Sequence, residues 1–317
     1  MNKTLTGATL LLALHLAPPS FAGDNHTRIG GMLEVEMDDN TIAPPTAELV
    51  IGSQLGKYVA AEIVVLYDDG ITGLDTATFT LSPEDTNWSF SAGNIVIPFG
   101  NFDTYMASDP LTLFLGETQE TALQYDYTAS NLSTSLYLFN GSNNVGGISS
   151  LDNFGLKFTH ASEFMTTSFG YIDDLGDSNA LQTAINTQLG NNDTSAKVAG
   201  QAIAMGLRMG SISINSELVS AISAFQAGQV EAGTIQPFST STEIAYAFSI
   251  AGNQSVLAMG SQNTKDASVL GLPKSRLLLG LNSAVQKDTR LILQFSQDTD
   301  YSSITTSGYV IKLVAEF

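Results

Sequence analysis

Segments of about ten residues that alternate apolar and polar side chains recur from one end of the chain to the other. A period of two is the signature of β-strands with one face in a different medium from the other. In MLEVEMDD (32–39), Leu33, Val35 and Met37 oppose Glu34, Glu36 and Asp38. In EIAYAFSI (243–250), Ile244, Tyr246, Phe248 and Ile250 oppose Glu243, Ala245, Ala247 and Ser249. RLILQFS (290–296) sets Leu291, Leu293 and Phe295 against Arg290, Ile292, Gln294 and Ser296. The final YVIKLVAEF puts Tyr309, Ile311, Leu313, Ala315 and Phe317 on one face.

Sixteen such segments can be placed, at 28–38, 46–54, 58–68, 75–83, 87–97, 118–129, 132–140, 152–160, 164–172, 197–209, 211–223, 238–251, 254–262, 275–286, 289–298 and 304–317. The linkers alternate in length. Short ones include 56–57, 83–86, 131–132, 161–162, 252–254 and 287–288, and long ones run through 98–117, 140–151, 173–196, 224–237 and 263–274. A soluble sandwich has no reason to keep its loops short at one end only. Bacterial outer-membrane barrels do, with an even strand count, short periplasmic turns and long external loops. The expectation is therefore an all-β chain forming a sixteen-stranded antiparallel transmembrane β-barrel, with both termini on the periplasmic side.

Composition agrees. Charged residues make up 14% of the chain, against about 25% in ordinary soluble proteins. The polar phase carries Glu62, Asp126, Lys157, Arg208 and Lys312, which suit a watery lumen. No 20–50-residue repeat supports a solenoid. Acidic residues number 31 against 12 basic ones, an imbalance that argues against nucleic acid as a partner. Lys3, the apolar run LLLALHLA (10–17) and PPSFA (18–22) read as a signal peptide over 1–22. Gly23 then starts a single barrel domain, 23–317, in the outer membrane of a Gram-negative bacterium.

Catalytic chemistry has little to build on. The chain contains no cysteine, so disulfides, zinc–thiolate sites and cysteine nucleophiles are excluded. Of three histidines, His15 is in the leader, and neither His26 nor His160 has an evident carboxylate partner. The chain is read as a non-enzyme without metal or cofactor. GSQLGK (52–57) lacks phosphate-loop spacing. The stretch 173–193 holds a possible short helix at 178–189, and its acids lack the calcium-loop spacing. It reads as a solvated acidic loop. Trp88, Tyr125, Tyr127, Tyr171, Tyr246 and Tyr309 read as membrane-interface belts rather than ligand-stacking residues.

One stretch breaks the strand pattern. IVIPFGNFDTYMASDPLT (95–112) begins as a strand, and Pro98 ends it because proline has no N–H for the ladder. Gly100 is expected to turn the chain. Pro98, Phe99, Gly100, Phe102, Tyr105 and Asp109 then belong to an external loop with more apolar surface than a solvated loop needs. Either it folds into the barrel as a constriction or it packs on the rim.

This region also carries a family resemblance. SAGNIVIPFGNFDTYMASDPLTLFLGETQETALQYDY (91–127), the acidic first strand and the aromatic C-terminus resemble the LbtU family of siderophore porins. Pro98, Phe99, Gly100, Phe102, Asp109, Pro110, Leu111, Thr112, Gly116, Glu117 and Thr118 match the family's motif. The resemblance implies diffusive passage of ferric siderophores, or similar small solutes, across the outer membrane. General porins and non-conducting structural or adhesin barrels are the alternatives. Partners implied by the class are outer-membrane lipid, lipopolysaccharide, and the barrel-assembly machinery acting through Phe317. Candidate pore-lining residues are Lys157, Arg208, Arg276, Arg290, Lys312, Glu34, Glu62 and Asp126. The bases are expected to pair with Glu34, Glu62, Asp126, Glu217 and Glu243, with a carboxylate-holding basic stripe as the other possibility. Beneath an acidic mouth this gives weak cation preference.

Overall fold

The computed structural model describes residues 27–39, 41–145, 151–190, 193–194 and 196–317. The expected signal peptide and His26 lie outside these residues, as does part of the 140–151 loop. The strands are β1 (Thr27–Asp38), β2 (Thr46–Gln54), β3 (Val59–Asp68), β4 (Ile71–Leu81), β5 (Trp88–Val96), β6 (Gln119–Ala129), β7 (Leu132–Asn140), β8 (Asn144–Val145), β9 (Asn153–Ala161) and β10 (Met165–Ile172). They continue with β11 (Asp193–Thr194), β12 (Gly200–Met209), β13 (Ile212–Ala221), β14 (Phe238–Ile250), β15 (Asn253–Lys265), β16 (Ser275–Gln286), β17 (Thr289–Thr299) and β18 (Thr305–Glu316). β8 and β11 form a separate two-residue parallel pair between loops. The other sixteen make a closed antiparallel barrel in which chain neighbours are wall neighbours.

Closure joins β1 to β18, from Met32 opposite Glu316 to Asp38 opposite Val310. Gly31 and Phe317 exchange both backbone hydrogen bonds, at 3.0 and 3.1 Å. The expected alternation is present. Leu33, Leu279, Leu293 and Leu313 are exposed on the outside, while Glu34, Glu243 and Lys312, on the opposite phase of their strands, are buried. Trp88 stacks on Tyr125 on the outer wall near the short-turn end, with Tyr127 and Tyr246 at that same end. Tyr171 and Tyr309 lie toward the other end. This is the arrangement of interfacial girdles.

Several strand ends differ from expectation by up to three residues, as at β12 and β15, and the largest difference is at β4. β4 starts at Ile71, not 75, and Asp69–Gly70 is a two-residue turn at the long-loop end. Val64 pairs with Thr76 but Val65 with Leu74, so Asp75 is an extra residue in the ladder. A bulge shifts the alternation by one position, which hid the first half of this strand from a period-two search.

Long connections at 97–118, 173–199 and 222–237 share one end of the barrel, and turns such as 130–131, 210–211 and 287–288 share the other. Helix α2 (Asn179–Leu189) confirms the helix expected at 178–189. Asn143, which loop length alone marks as an outside position, is buried. Surface reporters therefore belong at Gln188 and Ser302, both exposed. Cysteines there are expected to react with an impermeant maleimide on intact cells, and one at Asp288 is not. Labelling of Asp288 alone would invert the topology.

Candidate functional site: a loop bound to the inner wall

The stretch 97–118 folds inside the barrel, which settles the choice between rim and interior. The Ile97 N–H still reaches Thr118 O at 2.8 Å. Pro98 follows where no ladder partner is needed, and Phe99 is almost fully buried. On the facing wall, a Cβ at Gly170 would lie 2.0 Å from Phe99 O, so only glycine lets the loop backbone approach β10 this closely. Lys157 on β9 donates from Nζ to Gly100 O at 2.7 Å. Gly100 is not the turning residue. The left-handed conformation belongs to Phe102, at φ 58°. Gly100 instead makes room for the Phe102 ring, whose Cζ would stand 2.3 Å from a Cβ there.

A loop inside a barrel has backbone N–H groups with no sheet partner, and each one left bare costs about 1–3 kcal/mol. The wall supplies acceptors strand by strand. Glu217 on β13 accepts from Asn101 N at 2.6 Å, Phe102 N at 3.1 Å and Thr112 Oγ1 at 2.9 Å. Glu243 on β14 accepts from Tyr105 N at 3.0 Å and Thr104 Oγ1 at 2.8 Å. Gln294 on β17 accepts from Ala107 N at 2.9 Å and Ser108 N at 3.1 Å, and donates to Ser108 Oγ at 2.8 Å. Gln262 on β15 accepts from Leu111 N at 3.2 Å. Met106 packs with Ala245, Ala258 and Leu278. After Pro110 the loop forms the short helix α1 (Leu111–Gly116). Leu111, Leu113 and Leu115 join Leu181 and Ile185 of α2, with Phe225, Ile235 and Leu270 from other loops, in one apolar core.

The candidate pore-lining residues are mostly paired, although not always as expected. Lys312 binds Glu34 at 2.8 Å and Glu36 at 3.2 Å, as expected for Glu34. Asp109 of the loop is buried. Glu62 is taken by Arg28 at 2.8 Å, Arg276 by Asp298 at 2.9 Å, and Arg290 by Glu316. Asp126 accepts from Gln124 and Ser135 instead of a base. Glu217 and Glu243 are correspondingly loop anchors, not counter-ions of the basic wall. Their role, and that of Gln294 and Gln262, was missed from sequence. The available signal was a lumen-phase acceptor with no base opposite it on either neighbouring strand: Glu217 faces Ala204 and Ser241.

The 173–193 stretch is not a solvated acidic loop. Asp174 and Asp177 are buried. Asp174 Oδ1 accepts from Gly176 N and Val198 N. Asp177 accepts from Asn143 N at 2.8 Å and Asn153 Nδ2 at 2.6 Å. Together they tie the 141–143, 173–178 and 198 segments over the barrel end. Burial, reinforced by the charge of Asp174, pushes the Asp177 carboxyl up to about 8. Burial also raises Asp174 to about 6. A carboxyl raised above its unfolded value stabilises the fold fully in acid and loses that stabilisation as pH rises through the folded pKa. The cap should therefore loosen between about pH 4 and 8. Hydrogen exchange at the amides of Asn143, Gly176 and Val198, corrected for intrinsic rate, is expected to lose protection across that window. In Asp177→Asn the loss should be smaller. Protection that is flat or rising with pH would contradict this.

No family model matches the chain. It is 27% identical over 241 residues to a UPF0422 protein of Coxiella burnetii, covering 71% of this chain and 51% of that protein. It is 23% identical over 297 residues to a UPF0422 protein of Legionella pneumophila, covering 83% of this chain and 55% of that one. The chain thus spans about half the length of these relatives. Among solved structures it superposes on the outer-membrane channel DcaP of Acinetobacter baumannii with a TM-score of 0.62 at 14% identity, covering 92% of this chain and 97% of that one. Against OmpF of Salmonella typhi in complex with daunomycin the TM-score is 0.65 at 12% identity, with 92% and 98% covered. The fold is that of an outer-membrane porin. At these identities the likeness is one of fold, and it agrees with the apolar exterior and the girdles that fit the barrel to a lipid bilayer.

Proposed function

We propose that the barrel is a diffusive channel for small solutes across the outer membrane, with ferric siderophore as the cargo implied by the motif in 91–127. The observation that carries the channel reading is the bound loop. A purely structural barrel has no use for a segment drawn inside the lumen and fixed by side chains of four wall strands. A channel does, because such a segment sets the width and chemistry of its passage. Sixteen-stranded walls of this class enclose an aqueous lumen. Phe317 as a signal to the barrel-assembly machinery belongs to the same proposal, and its place in the closing ladder is compatible with it.

The experiment is reconstitution of the purified barrel into planar bilayers and into liposomes loaded with iron-free siderophore. Discrete conductance steps are expected, together with entry of the ferric complex faster than entry of a neutral sugar of equal size. Conductance without that preference would leave a general porin. Silent bilayers would remove the channel reading.

A further inference from the structure

Six bases lie on the lumen phase of the described strands: Arg28, Lys157, Arg208, Arg276, Arg290 and Lys312. Five have a named partner, namely a carboxylate for Arg28, Arg276, Arg290 and Lys312 and the Gly100 carbonyl for Lys157. Arg208 has neither a carboxylate within ion-pair distance nor a side-chain hydrogen bond of its own among the described residues. It also lines a cavity of about 400 Å³ between the bound loop and the wall. The same cavity is lined by Glu163, at the β9–β10 turn, which likewise has no cationic partner among the described residues.

These two groups are close along the wall. The Arg208 N–H donates to Phe164 O at 2.9 Å, and Phe164 is the residue after Glu163. A guanidinium and a carboxylate this near along the wall would ordinarily be expected to pair, as Arg276 on β16 and Asp298 directly opposite on β17 do. Here both charges instead face one cavity separately. Asn101, Thr104, Ser213 and Asn215 add hydrogen-bonding groups to its lining, and Glu217 and Glu243 reach it while held by the loop. Its volume is within the range of small-ligand sites, about 300–1,000 Å³.

We propose that this cavity is a subsite for a small zwitterion, with Arg208 receiving the solute's carboxylate and Glu163 its ammonium group. Arginine suits the first task because its planar fork donates two parallel hydrogen bonds to a carboxylate. The arrangement disfavours a polyanion, since Glu163 and Asp103 also line the cavity. A lone cation is repelled by the Arg208 guanidinium and leaves it without a partner. The inference rests on the channel reading above but not on the siderophore cargo.

The test uses the full-length barrel in liposomes, with swelling rates measured for erythritol, a neutral polyol, and for γ-aminobutyrate, a zwitterion of comparable size. Wild type is expected to pass γ-aminobutyrate faster than erythritol. Arg208→Gln and Glu163→Gln are each expected to cut the γ-aminobutyrate rate at least threefold and to leave the erythritol rate unchanged. Arg208→Lys should restore part of the loss. An unchanged ratio in both glutamine variants, with erythritol still entering, overturns the subsite and leaves the channel standing. Failure of erythritol to enter through wild type overturns the channel reading and the subsite with it.

Discussion

Glu217→Ala is expected to free the loop from the wall and widen the passage. The substitution strips the acceptor from two loop N–H groups and from the Thr112 hydroxyl at once. Hydrogen bonds to a charged group contribute about 1.5–3 kcal/mol each, so the lost anchoring from three of them is on the order of 5–9 kcal/mol before water compensates. Glu243 and Gln294 still hold the middle of the loop, and Glu217→Ala combined with Glu243→Ala should release it more completely. Single-channel conductance should rise at least twofold, and the 98–117 stretch should become cleavable by a protease that leaves wild type intact. A barrel with unchanged conductance and a protected loop would show that apolar packing, not the wall carboxylates, fixes the segment. Glu217→Gln keeps one acceptor oxygen and should fall between wild type and alanine.

Leu279→Arg is expected to destabilise the barrel strongly, whereas Ser213→Arg is not. Leu279 is exposed on the outside of β16, and its cross-strand neighbours Met259 and Phe295 are exposed there too. An arginine at this face near mid-bilayer costs roughly 2–4 kcal/mol. Ser213 has the opposite phase on β13 and lines the inner cavity. Reversible folding into lipid vesicles, followed by denaturant titration, measures both. Equal tolerance at the two positions would contradict the assignment of faces. Gln294, although also on the lumen phase, is unsuitable as the tolerant control because it carries three hydrogen bonds to the loop.

The barrel was largely legible because each strand obeys one rule, and the rule comes from the two media it separates. Leu293 and Gln294 can be assigned to opposite faces from their order alone. The rule fails where the chain stops being periodic. At Asp75 a single extra residue breaks the phase, and the first half of β4 disappears from view. In the loop, sequence showed too many apolar residues for solvent but not where they go, because the surfaces that receive them are distant in the chain. Gly170 faces Phe99 from 71 positions further along the chain, and no local pattern announces that contact. The acidic stretch failed for a related reason. Asp174 and Asp177 look like solvated charges until Asn143, Asn153 and Val198 are brought to them by the fold.

The loop anchors also bear on the order of assembly. Residues 101–112 are received by side chains 105 to 187 positions further along the chain. The last of these receivers, Gln294, lies on the penultimate strand. Before β13 to β17 have entered the wall, β9 and β10 offer the segment contacts at Phe99 and Gly100, but the acceptors for 101–112 are missing. Its docking is therefore a late kinetic event, separate from strand insertion and opposed by the closure entropy of long-range contacts. The nascent barrel is widest just as its circle closes, and narrowing follows as a second step that a mutation could delay without slowing the first.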